Sequence, residues 1–326
     1  MIRKLIQTAY RAVVILVLGL FGAIYTNLFF QLDWRLDLAT NLLPQVLILS
    51  ALLTVLCICV KDRIIANANL ALTILLFAFI FLVVSDNNSI SGDKPDISFL
   101  THNLNLENTN YKETEDLILE IDPDVMLLSE FQPGWNAKLA KLAVKYPFKF
   151  TIPNEKGHGI SLYSKYMIME NRIEHFASVD FPCIVSKIQF KDQKIKVIGV
   201  HLNPPINQYE YTQLGLQVEA LKEEINKSEG EPVVLLGDCN FSPYSPFYRS
   251  ILSETSLQGT AFTTTLKNTW HHQRHPLGKV LGTNVDHIFL SQHFAPVSRK
   301  VFPKTGSDHN PVFLKAVFKD LKKEEE

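Results

Sequence analysis

Three long runs without a charged residue open the chain and restrict what its first part can become. Residues 12–30 and 42–60 hold 19 residues each, and residues 64–84 hold 21. At 1.5 Å rise per residue each forms a helix of about 30 Å, the thickness of a bilayer's hydrocarbon core. A secretory signal peptide has a shorter apolar stretch with a small-residue cleavage site, and two more such runs do not come after it. Three transmembrane helices are therefore expected within residues 1–84. The third run is the least regular, because Asn67 and Asn69 sit in its first turns. Arg3, Lys4 and Arg11 precede the first run and Lys61 and Arg63 separate the second from the third. The loop between the first two carries Arg35 with Asp33 and Asp37. This bias puts the N-terminus and the second loop in the cytoplasm, and three crossings carry the remainder of the chain to the far side. The expectation is a multi-pass protein of the cell membrane. Residues 85–96, polar with Gly92 and Pro95, read as a linker to an extracytoplasmic domain over 97–326.

The whole chain has 32 Lys+Arg against 33 Asp+Glu, and the first 96 residues hold seven and six of them, so the domain keeps 25 and 27, net −2. Such a domain lacks the bulk positive charge that draws proteins to a phosphate polymer, which disfavours nucleic acid as a partner. Of the four cysteines, Cys57 and Cys59 lie in the second apolar run, and Cys183 and Cys239 are expected as buried thiols.

From residue 97 onward short apolar strands alternate with helical segments. Strands are expected at 97–104, 125–128, 159–164, 183–190, 195–201, 233–236, 285–290 and 312–318, and helices near 111–121, 135–146 and 208–226. Asp122-Pro123-Asp124 marks a turn. Paired strands and recurring helices together predict two sheets packed face to face with helices outside. The charged end of the chain, LysLysGluGluGlu, is expected to be solvated.

The strand ends carry the chemistry. Reading only those ends gives His102-Asn103, Ser129-Glu130, His201, Gly237-Asp238-Cys239-Asn240, Asp286-His287 and Ser307-Asp308-His309-Asn310. Carboxylates, amides and imidazoles placed where buried strands reach the surface supply hard oxygen ligands for Mg²⁺ or Mn²⁺. They also supply what a phosphate ester needs: an orienting group for water and donors for developing charge. His102 and His287 alternate onto the other face of their strands and are expected to be structural. His271, His272 and His275 cluster in a loop without an evident fourth ligand, so no zinc site is assigned to them.

The ordered set Asn103, Glu130, His201, Asp238 with Asn240, Asp286, and Asp308 with His309 resembles the endonuclease/exonuclease/phosphatase superfamily. The closest matches are the stretches around Gly-Asp-x-Asn at 237–240 and Ser-Asp-His at 307–309. The resemblance covers residues 97–326 and implies an α/β (α+β) four-layer sandwich, two packed mixed β-sheets flanked by helices. It implies Glu130 as a direct ligand of Mg²⁺ or Mn²⁺, with Asn103 and Asp308 completing or bordering the ion's shell. It implies Asp238 as the group that positions or deprotonates water, Asn240 as its neighbour on a phosphoryl oxygen, and His309 facing the phosphate with Asp286 behind it. His201 resembles a second histidine that donates to the phosphate or leaving oxygen, and either imidazole could be the general acid.

Departures narrow the expectation. Asn105 stands where some members carry an acidic residue that helps hold metal, implying a cation bound by fewer carboxylates. The stretch 237–252 with Thr269 and Trp270 looks most like the family's bacterial, membrane-anchored branch. The leading expectation is a membrane-tethered, metal-dependent phosphoesterase acting on a phosphorylated small molecule or lipid near the bilayer, with no protein partner evident. An extracytoplasmic nuclease and a catalytically inactive, tethered binding module are the alternatives.

Overall fold

The computed structural model describes residues 2–85, 91–177, 180–228, 230–261, 267–272 and 275–319. Residues 86–90 of the expected linker and 320–326 of the charged tail lie outside that set. The chain forms two compact units, one of Met1–Asp86 with Tyr244–Pro246 and one of Asn87–Pro243 with Phe247–Glu326.

The N-terminal unit is helical: α1 (Ile2–Phe30), α2 (Trp34–Thr40), α3 (Leu43–Cys59) and α4 (Arg63–Ser85). Two stretches, Gln7–Phe30 and Arg63–Val84, are long and apolar enough to cross a membrane. Where the second span was expected, over residues 42–60, α3 is joined to α2 at a bend of 81°, so the number of spans is two, or three if the bent pair counts as one. Large apolar side chains face outward along all three long helices, among them Leu16, Leu52, Ile64 and Phe81. That distribution is compatible with membrane anchoring. Asn69, an irregularity in the sequence, is fully buried and donates to Ser50 O at 2.6 Å and Thr54 Oγ1 at 2.8 Å. It thus joins α4 to α3 by polar contacts of the kind that hold helices together in an apolar medium.

The second unit runs β1 (Ile97–Asn103), α5 (Tyr111–Ile121), β2 (Val125–Ser129), α6 (Pro133–Lys138), α7 (Leu142–Lys145), β3 (Phe148–Ile152), β4 (Ile160–Ser164), β5 (Ile168–Glu174), β6 (Cys183–Phe190) and β7 (Gln193–His201). It continues with α8 (Gln208–Asn226), β8 (Val233–Asp238), α9 (Pro246–Glu254), β9 (Leu257–Gly259), β10 (Asp286–Ser291), β11 (Phe294–Val301) and β12 (Val312–Phe318). One six-stranded sheet has the order β11-β12-β1-β2-β4-β3 and the other β5-β6-β7-β8-β10-β9. The pairs β1/β2 and β7/β8 are parallel and the rest antiparallel.

Central strands are buried on both faces, as β1, β2 and β8 are throughout. Their inner faces, with Phe99, Leu127, Val197, Leu236, Ile288 and Leu314, make one apolar layer between the sheets. The outer face of the first sheet packs with Trp135, Leu142 and Ile118 of the α5–α7 side, and that of the second with Leu214, Leu221 and Ile251 of α8 and α9. The result is the expected four-layer sandwich. The helix expected over 135–146 is instead two short pieces, α6 and α7. Cys183 and Cys239 are buried free thiols, and burial pushes the Cys183 pKa up to about 12.

Candidate active site

Strand direction explains why residues far apart in sequence meet. β1, β2, β7 and β8 all end at one edge of the sandwich, which brings Asn103, Glu130, His201 and Asp238 there. β10 and β12 run antiparallel to β8 and β1, so their starts reach the same edge with Asp286 and the 307–309 loop. Registers fix the alignment: Asn103 pairs with Ser129, and Asp238 pairs with both His201 and Asp286. Gly237 is required by packing, since a Cβ there would lie 1.9 Å from Val200 O, at a φ of +150°.

Asp238 occupies the middle. Its Oδ2 accepts a hydrogen bond from Asn103 Nδ2 at 3.0 Å and lies 3.6 Å from His309 Nε2 and 3.8 Å from His201 Nε2. Its Oδ1 accepts from the backbone N–H of Asn240 at 3.0 Å, and Asn240 Nδ2 donates to Leu202 O at 2.7 Å. Asn103 Nδ2 also donates to Glu130 Oε1 at 2.8 Å, and the Leu106 N–H donates to Glu130 Oε2 at 2.6 Å. Asn105, Glu130 and Asn240 all adopt left-handed backbone conformations, with φ of 64°, 53° and 57°. Such conformations are unfavourable for residues with a Cβ and persist only where surrounding contacts impose them, as they do at functional sites.

His309 is held from behind by Asp286, with 2.9 Å between Nδ1 and Oδ2. Burial works against charge on the imidazole, but the carboxylates of Asp286 and Asp238 and this hydrogen bond override it and raise the His309 pKa to about 10. The ring is thus cationic at neutral pH, with its Nε2–H on the side of Asp238. Ser307 Oγ donates to Asn103 O at 2.7 Å and accepts from the His309 N–H at 2.9 Å, locking the Ser-Asp-His loop to β1.

Asp308 is linked to Glu130 through two amides. Asn105 Nδ2 donates to Asp308 Oδ1, the Asn105 N–H donates to Asn103 Oδ1 at 2.9 Å, and Asn103 in turn reaches Glu130. The other oxygen, Asp308 Oδ2, accepts from Trp270 Nε1 at 2.9 Å. Trp270 and Asn105 are therefore site residues to which sequence reasoning gave no such role. Thr269 is another, its Oγ1 accepting from the N–H groups of Val285 and Asp286 at 2.9 and 3.1 Å. The signal for these was the Thr-Trp pair and the Asn at 105, but only the fold shows what they touch.

The donor atoms of Asp238, Asp286 and His309 lie within 4.8 Å of one another, the one such group of three among the described residues. Because His309 and Asp286 are already hydrogen-bonded to each other, this group reads as an imidazole–carboxylate pair facing Asp238 rather than as a ligand cage. Glu130, Asn103 and Asp308, connected by hydrogen bonds through Asn103 and Asn105, offer oxygen donors of the kind a hard cation takes, with no thiolate among them. His102 and His287, expected to be structural, are buried, and burial lowers each pKa to about 3, so both are neutral. The histidine loop brings the rings of His272 and His275 only to 6.4 Å and forms no close ligand group among the described residues.

Comparisons with known proteins agree with this geometry. The profile of the Endonuclease/Exonuclease/phosphatase family matches residues 100–309. A comparison with curated protein sequences returned no match. Among solved structures, an endonuclease/exonuclease/phosphatase from Beutenbergia cavernae is 17% identical with a TM-score of 0.58, covering 69% of this chain and 72% of its own. D. rerio TDP2 complexed with a single-strand DNA product is 17% identical with a TM-score of 0.57, covering 68% and 98%. The 3′ phosphatase NExo from Neisseria, bound to a product DNA hairpin, is 17% identical with a TM-score of 0.55, covering 67% and 98%. At such identities the likeness shows the shared sandwich, while the profile match spans the ordered strand-end residues from Asn103 to His309. The chain belongs to the endonuclease/exonuclease/phosphatase family and, like its members, is a hydrolase acting on phosphoester bonds.

Proposed function

We propose that this hydrolase cleaves a phosphate ester at a bilayer surface, with the apolar N-terminal helices as its multi-pass anchor, the domain on the extracytoplasmic side and a divalent cation in the site. The observation that carries the chemistry is the Asp238 carboxylate set between two buried imidazoles at 3.6 and 3.8 Å. Family enzymes use divalent metals, typically Mg²⁺. Glu130 and Asn103 would hold Mg²⁺ or Mn²⁺ here, with Asp308 bordering its shell. When bound, the cation supplies neutralisation of the phosphoryl oxygens.

The chain's own groups do the rest. Asp238 Oδ2 accepts the proton of the attacking water, and the backbone N–H of Asn240 keeps that carboxylate aimed. His309, held cationic by Asp286, presents Nε2–H to a phosphoryl or leaving oxygen, and His201 Nε2 is the second donor. The three left-handed residues keep these groups at fixed spacing before substrate arrives.

A nuclease is the second reading, favoured by the DNA bound in the TDP2 and NExo structures. The domain's net charge of −2 weighs against it, because strand binding relies on several cationic contacts to phosphates. The test is hydrolysis of bis(4-nitrophenyl) phosphate and of plasmid DNA by the full-length protein in detergent, with Mg²⁺ or with EDTA. Mg²⁺-dependent release of 4-nitrophenol, abolished by EDTA and reduced about a thousandfold in Asp238→Asn, is expected. Full activity in EDTA, or in both Asp238→Asn and His309→Ala, would dismiss the mechanism. Plasmid cleavage falling steeply with salt would establish the nuclease instead.

A further inference from the structure

A strip of apolar and aromatic side chains runs beside the site without taking part in the phosphoryl chemistry. The His158 ring lies flat on Phe181, centroids 4.3 Å apart at 25°, and Phe181 and His201 form a T-shaped contact at 5.3 Å and 87°. Beyond this column opens a cavity of about 570 Å³, with His158, Phe181, Ile206 and Tyr209 in its wall. At the other end, Leu106 comes within 3.8 Å of where a Cβ on Gly157 would stand, and that point is 3.9 Å from Glu130 Oε2. Leu106, His158, Phe181, Ile206 and Tyr209 thus border the site from Glu130 to His201.

Leu106, Ile206 and Tyr209 are 41%, 76% and 67% exposed. A single exposed apolar residue is ordinary, but three on one strip against a catalytic edge and a cavity of ligand size form a binding surface. Its charge excludes one occupant. Asp180 and Glu210 line the same cavity and, among the described residues, no Lys or Arg does, so a further phosphate of a polyanionic strand would meet carboxylates there. An uncharged hydrocarbon chain would cover the exposed apolar surface and meet no such repulsion. The same chain carries two helices apolar enough for a bilayer, the medium in which amphiphiles of that kind reside.

We propose that this strip is a recognition trough for a hydrocarbon chain esterified to the phosphate, which makes the substrate class an amphiphilic lipid phosphate ester. The proposal rests on the phosphoesterase reading above. Its test uses the full-length protein in detergent with Mg²⁺ and two probes, 4-nitrophenyl methyl phosphate and 4-nitrophenyl dodecyl phosphate. Equilibrium binding of methylphosphonate and dodecylphosphonate, which are not hydrolysed, is measured alongside. The wild-type protein is expected to favour the dodecyl ester in kcat/KM by at least about tenfold, the effect of burying roughly two methylene groups. The double variant Ile206→Ser/Tyr209→Ser, altered at exposed positions in the same micelles, is expected to bring that ratio to about one and to weaken dodecylphosphonate binding in parallel.

Equal kcat/KM for the two esters in the wild type, or a preference unchanged in the double variant, overturns the trough. So does an oligothymidine that competes against the dodecyl ester better than dodecylphosphonate does at equal concentration, since it makes a nucleic acid the occupant. If neither ester turns over while dodecylphosphonate binds the wild type and not the double variant, the trough stands and the phosphoesterase reading falls.

Discussion

Replacing Glu224 by glutamine separates packing from chemistry in this fold. Its buried carboxylate accepts hydrogen bonds at 2.5 Å from both Lys196 Nζ and Arg172 Nη2, and Lys227 Nζ lies at 3.3 Å. Lys196 sits five residues before His201 on β7, about 17 Å along the strand from the site. These residues line a polar cavity of about 450 Å³ in which Arg172, Lys196 and Lys227 are all paired with Glu224, so we assign it to stability rather than to substrate. Burial alone would raise the Glu224 pKa, but the hydrogen bonds and charges of Arg172 and Lys196 pull it down to about 2 from 4.5. That difference corresponds to about 3 kcal/mol, and solvent screening around the partly exposed Arg172 reduces it to about 2 to 3 kcal/mol. Because the folded pKa is the lower one, the contribution is complete above pH 4.5 and is lost as pH falls towards 2. Glu224→Gln should therefore lower the Tm by about 4 to 12 °C at pH 7, with less than half of that gap remaining at about pH 3. The assay is a fluorescence melt of the full-length protein in detergent, paired with ester hydrolysis at 25 °C, where kcat/KM should stay within about twofold of wild type. A Tm change below about 1 °C at pH 7, or a gap that widens on acidification, would refute the reasoning. Lost turnover at 25 °C with the fold intact would make this cavity part of the site.

Three more outcomes are expected at the site. Asp286→Asn removes the charge behind His309 Nδ1, and kcat at saturating Mg²⁺ should fall about a hundredfold or more in steady-state kinetics. Glu130→Gln should raise the Mg²⁺ concentration for half-maximal rate at least about tenfold, with much of the rate recovered at high Mg²⁺; an unchanged titration would remove Glu130 from the metal shell. Gly237→Ala would drive a Cβ to 1.9 Å from Val200 O and should cost about 4 kcal/mol or more, read as lost soluble yield or a much lower Tm; wild-type melting would show that β7 and β8 can part without penalty.

The strands that were visible as apolar runs are the ones buried on both faces, among them β1, β2, β4, β7 and β8. Those missed were β3, β5, β9 and β11, the four edges of the two sheets. An edge strand exposes more of its length to water and carries polar residues, as β5 does over IleMetGluAsnArgIleGlu and β11 does with its Pro296. Helix α9 escaped because Pro243 and Pro246 stand just before and at its start, where proline reads as a turn. The candidate site residues were readable because each stands at or within a few residues of an end of a buried strand, where a polar side chain stands out against its apolar surroundings. The contacts of Asn105, Thr269 and Trp270 were not readable, because these residues hold Asp308 and the start of β10, and a supporting hydrogen bond leaves no periodic trace in the chain.

Local order along the polypeptide was enough to separate an apolar helical part from a strand-rich domain and to single out Asn103, Glu130, His201, Asp238, Asn240, Asp286, Asp308 and His309 as candidates, since burial and strand ends are properties of short segments. Strand direction and register settled the rest. They alone bring Asp238 between His201 and His309, set Asp286 behind an imidazole raised to about 10, and lay Phe181 and Tyr209 beside the reacting edge. Distances between residues a hundred positions apart depend on how two sheets stack, and no stretch of chain short enough to read by eye contains them.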